Sequence, residues 1–112
     1  TTGEPRTALA HRGARRVFSA QTARALRELL ASVVTEGTGH EAAPTEGTAA
    51  GKTGTAQTGQ FAAGKELKNY WFAGFYPARN PRYTIVVLQT GPSRTSAAIF
   101  ARVCDALDAA GE

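Results

Sequence analysis

The residues most able to do chemistry in this chain are consecutive: Ala50-Gly51-Lys52-Thr53-Gly54-Thr55-Ala56-Gln57. A lysine on an extended segment can hold an anionic group and polarise nearby hydroxyls. Thr53 and Thr55 alternate with Gly54, so in a strand their side chains share one face and can meet one carboxylate. Gly54 lets the backbone lie close to a ligand. The Gly-Lys-Thr string also invites a phosphate-loop reading. That loop needs a glycine five residues before Gly51. Glu46 occupies that position, and Gly47 is one residue out of register. The loop must also lead into a helix, whereas Gly54, Thr58 and Gly59 follow here.

Other candidates are weaker. His11 and His40 have no Asp, Cys or His at ligand spacing, so no metal site is expected. A Ser-His-Asp triad would have to draw on His40 and on Asp105 or Asp108, without a nucleophile-elbow sequence. Cys104 is the single cysteine and excludes an internal disulfide. It sits on the apolar side of a C-terminal helical pattern and reads as a small buried thiol. Trp71, Phe72, Phe75 and Tyr76 read as sheet core, with no RNA-recognition consensus beside them.

These residues need elements to position them. Residues 14–18 read as a short strand or a lead-in. Ser19 is placed as an N-cap for a helix over about 20–36, with Ala23, Leu26, Leu30 and Val33 or Val34 on one face. Gly37 is expected to end it in a left-handed conformation. Residues 37–47 read as a loop, 48–57 as a strand of small residues, and 58–65 as a second loop. Residues 69–76 are aromatic on both faces and read as a central strand. Pro77 ends it, residues 78–81 turn, and the β-branched run 83–90 returns antiparallel. Thr95 or Ser96 then caps a last helix with Ile99, Phe100, Val103, Cys104 and Leu107 on one face, closed by Gly111. The fold class is α+β, an antiparallel sheet flanked by helices. Two helices can cover only part of such a sheet, so missing neighbours are expected.

The chain of 112 residues is one domain or a piece of one. Its 42% hydrophobic and 20% charged content is that of a globular chain. No apolar run approaches the roughly 20 residues that span a bilayer. Thr1-Thr2-Gly3-Glu4-Pro5 lacks the pattern of a signal peptide, and an address or anchor would lie on another segment. The net charge of +4 comes from scattered basic residues, not a dense stripe, so no nucleic-acid partner is expected.

Lys52-Thr53-Gly54 is also the third motif of the penicillin-binding serine acyl-transferases, whose other motifs are S-x-x-K and S-D-N. The surroundings extend the likeness. Phe18 to Ala23 with Leu26, Leu29 and Leu30, then Val33 to Gly39, resemble the helix and turn upstream of that motif in class B penicillin-binding proteins. Ala50 to Gln57 resembles their extended third-motif strand. Trp71 to Pro77 and Asn80 to Tyr83 resemble the next two strands and their turn. The last helix resembles the one that ends the transpeptidase domain. The resembling segment runs over about 18–110, with 1–17 as lead-in, and the whole chain 1–112 reads as the C-terminal part of that domain.

The resemblance implies part of a peptidoglycan D,D-transpeptidase, which cross-links cell-wall stem peptides through a serine acyl-enzyme and is acylated by β-lactams. It implies catalytic roles for Lys52 and Thr55, the Thr55 backbone N–H being one of two oxyanion donors. It implies substrate contacts from Thr53, Gly54, Thr55 and Gln57, and no metal or organic cofactor. It places the protein outside the cytoplasmic membrane, attached through an N-terminal anchor. The nucleophile is absent from this chain. Ser19, Ser32, Ser93 and Ser96 are followed three residues later by Thr22, Thr35, Ser96 and Ile99, and no Ser-x-Asn occurs. In the family both motifs lie upstream of this segment. The chain is therefore expected to be inactive alone and to need the rest of its domain, or another copy, as partner. A β-lactamase or β-lactam sensor of the same fold, and a non-catalytic interaction module, are the alternatives.

Overall fold

The computed structural model describes Gly3 and residues 13–111. The described elements run α1 (Ala20–Thr35), a 3₁₀ turn (His40–Ala42), β1 (Ala50–Ala62), β2 (Lys65–Tyr76), β3 (Tyr83–Gly91) and α2 (Ser96–Ala109). The strands form one antiparallel sheet in the order β1-β2-β3, so the fold is α+β with β2 central, as its aromatic run requires. Residues 14–18 form no strand and lead directly into α1.

Ser19 caps α1, its Oγ accepting from Thr22 N at 3.1 Å. The other end differs from expectation. Gly37 is not left-handed. The chain instead keeps a helical bond from Gly37 N to Val33 O at 3.1 Å and wraps so that Gly39 N donates to the same oxygen at 3.0 Å. A Cβ on Gly37 would lie 3.1 Å from that same oxygen. Glycine is therefore favoured here by a close approach, not by a positive φ.

The first two strands are longer than their composition indicates. Gly59 and Gly64 read as breakers in the sequence, and residues 58–65 as a loop. Both glycines lie within a hairpin instead. Gly59, at φ +74, sits in a bulge where the register shifts between Gln57 and Gln60. Ala63 and Gly64, at φ +53 and +81, form the two-residue turn that joins β1 to β2. Thr58 Oγ1 donates to Leu67 O and accepts from Gln60 N, which fills the bulge with hydrogen bonds.

The sheet has two unlike faces. Tyr70, Phe72 and Tyr76 of β2 are buried on one of them. There Phe72 packs on Phe100 of α2 with ring centroids 4.6 Å apart. Val34 of α1, Ala97 and Cys104 of α2 and Ala42 of the 3₁₀ turn complete that core. The alternate residues point the other way. Trp71, Val86 and Leu88 are neighbours across β2 and β3 and are 40%, 57% and 51% exposed. The described helices thus cover one face and leave an apolar one bare. Most of α1 is exposed too, with Val34 its one buried residue among those described.

The approach to β1 is held on α2. Asp105 accepts from Thr45 N at 2.8 Å and from Thr45 Oγ1 at 3.1 Å. Asp108 accepts from the Tyr76 hydroxyl at 2.6 Å. Asp105 thus latches the segment before the lysine strand to α2, and Asp108 ties the end of β2 to the same helix.

Candidate functional site

Lys52, Thr53, Gly54, Thr55 and Gln57 all lie on β1, which is an edge of the sheet among the described residues. They form a strand, not the start of a helix, so the phosphate-loop reading is excluded. An edge strand presents unpaired N–H and C=O groups, which a ligand backbone can meet.

The register fixes what each side chain shares a face with. Thr53, Thr55 and Gln57 stand opposite Phe72, Tyr70 and Lys68, on the face that carries α2. Gly54 and Lys52 stand opposite Trp71 and Ala73 on the other face. Lys52 nevertheless bends back round the free edge, and its Nζ lies 3.2 Å from Thr53 Oγ1 and 3.4 Å from Thr53 O. The ammonium and the first hydroxyl are thus brought together by the edge position. Lys52, Thr55 and Gln57 are exposed, while Thr53 and Gly54 are half-buried.

Two glycines in this strand serve different ends. A Cβ on Gly51 would lie 2.5 Å from the Phe72 ring and 2.7 Å from Ala73 O, so Gly51 is required by the core. A Cβ on Gly54 would meet Trp71 Cβ at 3.6 Å, an ordinary contact. Nothing on the described sheet demands glycine at position 54.

A second cation stands beside this strand. Arg94, in the connection between β3 and α2, places its guanidinium 3.4 Å from Thr55 Oγ1 and 5.8 Å from the Tyr70 ring centroid. No motif marks it. It is distant along the chain and reaches the strand only because β3 brings the connection back across the sheet. The two hydroxyls at Thr53 and Thr55 therefore lie between an ammonium and a guanidinium.

Elsewhere, a cavity of about 490 Å³ is lined by Arg24, Arg27 and Glu28 of α1 with Thr48 and Arg79. It includes none of Lys52 to Gln57. No group of three His, Cys, Asp or Glu residues is placed to hold a metal among the described residues. Cys104 is buried, and burial, with the charges of Asp105 and Asp108, pushes its thiol from 9.0 up to about 11. It is a core residue with an unreactive thiol. His11 lies outside the described residues.

The sheet edge thus presents two hydroxyls between two cations, an arrangement whose chemistry suits an anionic group. The family model for the penicillin-binding protein transpeptidase domain matches residues 8–105. The chain belongs to this family. Among curated relatives, penicillin-binding protein PbpB of Mycolicibacterium smegmatis is 43% identical over 91 residues, covering 72% of this chain and 14% of that protein. Stage V sporulation protein D of Bacillus subtilis is 39% identical over 84 residues, covering 72% of this chain and 13% of that protein. The solved transpeptidase domain of the FtsI4 D,D-transpeptidase from Legionella pneumophila aligns with a TM-score of 0.67 at 31% identity. It covers 80% of this chain and 36% of that one. The chain thus spans about a seventh of the length of the curated relatives and about a third of the solved domain.

Proposed function

We propose that this chain is one wall of the active site of a peptidoglycan D,D-transpeptidase. The parent protein would attack a D-Ala-D-Ala stem peptide with a serine carried elsewhere in its domain. The terminal D-alanine would leave as the acyl-enzyme forms, and the amine of a second stem peptide would take the acyl group and release the serine. β-Lactams would acylate the same serine. The relatives' printed names, penicillin-binding protein and D,D-transpeptidase, support this reading.

The observation that carries it is the meeting of Lys52 Nζ with Thr53 Oγ1 at the sheet edge, beside Thr55 on the same face. Thr53 and Thr55 would bind the substrate carboxylate and Lys52 would raise the local positive potential. The Thr55 backbone N–H would supply half of the oxyanion hole, a contribution worth about 10²–10³ in rate per donor in serine hydrolases. The lack of a Cβ at Gly54 would admit the substrate backbone, and Gln57, at the margin before the bulge, would contact a longer substrate.

The bare face of Trp71, Val86 and Leu88 supports a companion, either the remainder of the domain or a second copy. The chain alone would form no acyl-enzyme. Membrane attachment and action outside the cytoplasm would come from the rest of the parent protein; no described helix is long and apolar enough to cross a membrane.

Fluorescent penicillin tests the proposal on the parent polypeptide. Labelling that is lost when the serine of its Ser-x-x-Lys is replaced is the expected result. An intact, folded parent that takes no label would overturn it and favour a non-catalytic module.

A further inference from the structure

A row of three side chains crosses the sheet at the site, one from each strand. Thr55, Tyr70 and Gln89 are register partners on the α2 face. Each holds a different part of Arg94 or its loop. Gln89 Nε2 donates to Ser93 O at 2.9 Å, and Gln89 Oε1 accepts from Thr95 N at 2.9 Å. One amide side chain thus clamps the backbone on both sides of Arg94. Tyr70, which is buried, offers its ring to the guanidinium at 5.8 Å. Thr55 Oγ1 accepts from an Arg94 terminal nitrogen at 3.4 Å. The loop, the plane and the tip of this arginine are each held by the sheet that carries the lysine strand.

We infer that Arg94 is a specificity-determining residue that binds the terminal carboxylate of the substrate together with Thr55, from the side opposite Lys52. This rests on the active-site reading above. A guanidinium carries five N–H donors in a planar fork matched to a carboxylate, whereas an ammonium acts as a point charge. Lys52 sets the potential of the site; Arg94 fixes the orientation of the anion. The long contact to Thr55 and the exposure of Arg94 leave the fork accessible to a ligand arriving at the edge. The bound group is a carboxylate at the end of a peptide or on the ring fused to a β-lactam, and the two share that chemistry.

The test uses the parent polypeptide with its own serine. Acylation rate constants are measured by mass spectrometry for benzylpenicillin and for its methyl ester, the ester being raised in concentration until acylation is followed. Arg94→Ala is expected to slow acylation by the acid by about 10- to 100-fold, the worth of a charge-assisted hydrogen bond, and to leave the ester rate unchanged. Arg94→Lys is expected to keep part of the acid rate, and neither variant to shift the melting temperature. Equal losses for acid and ester, or no loss for either, would overturn the role of Arg94. Thr53→Ala separates this from failure of the site itself. If Thr53→Ala discriminates acid from ester and Arg94→Ala does not, only the arginine's role falls. If neither discriminates, the active-site reading falls and this inference with it.

Discussion

The Tyr76 hydroxyl donates to Asp108 Oδ2 at 2.6 Å, joining the end of the central strand to the last turns of α2. The same phenol oxygen lies 3.1 Å from Glu46 O. Together with the Thr45–Asp105 pair it fastens the segment entering the lysine strand to the helix that forms the core. Tyr76→Phe removes a partly buried, charge-assisted bond, and a loss of about 1–2 kcal/mol is expected. Urea unfolding of the parent and the variant measures it. Asp108→Asn keeps an acceptor and should lose less.

The same region sets an alkaline limit. Burial, then the hydrogen bond and charge of Asp108, hold the Tyr76 phenol above its ordinary range. Burial likewise raises the Cys104 thiol from 9.0 to about 11. In both cases the folded state keeps a proton that the unfolded state releases. Stability from Cys104 is therefore complete below about pH 9 and declines as the pH rises from 9 towards 11. Melting temperatures at pH 8 and pH 10.5 should show a fall, and the fall should be smaller in Cys104→Ala.

The paired glycines of the strand give a contrast within one element. Gly51→Ala places a methyl against the Phe72 ring and the Ala73 carbonyl. It should destabilise by about 1–3 kcal/mol, as overpacking does. Gly54→Ala meets only ordinary contact and should fold normally. Its cost should fall on acylation by penicillin. Calorimetry paired with acylation rates separates the two effects.

Much of the fold could be read from the residues. The strands around Trp71 and Val86 announced themselves by aromatic and β-branched runs, and Ser19 marked the first helix by cap chemistry. The hairpin at Ala63-Gly64 was hidden because Gly59 and Gly64 break a local pattern whether they end a strand or bend it. Only the pairing of Gln60 with Leu67 and Phe61 with Glu66 decides between these. The end of α1 is ambiguous in sequence for a related reason. A glycine can serve a positive φ or a close approach, and the position of Val33 O selects the second at Gly37. At the site, Lys52 to Thr55 were legible because they are contiguous. Arg94 was not, because its place beside Thr55 depends on the side chains of Gln89 and Tyr70 on two other strands.

The turn itself offers a stabilising change. Ala63 occupies a left-handed conformation that costs an L-residue with a Cβ about 1–2 kcal/mol. Asparagine tolerates it better and favours this two-residue turn before glycine. Ala63→Asn should raise stability by roughly 0.5–1 kcal/mol, seen as a higher melting temperature with no change in acylation.

The lysine at the sheet edge is the most direct point of attack. The second-order rate constant for acylation of the parent polypeptide by benzylpenicillin should fall by about 10² or more in Lys52→Ala, on the scale of losing one preorganised electrostatic contact. Lys52 is exposed, so the melting temperature should be unchanged. A Lys52→Ala parent that is acylated at the undiminished rate would contradict the assignment of this strand to the active site.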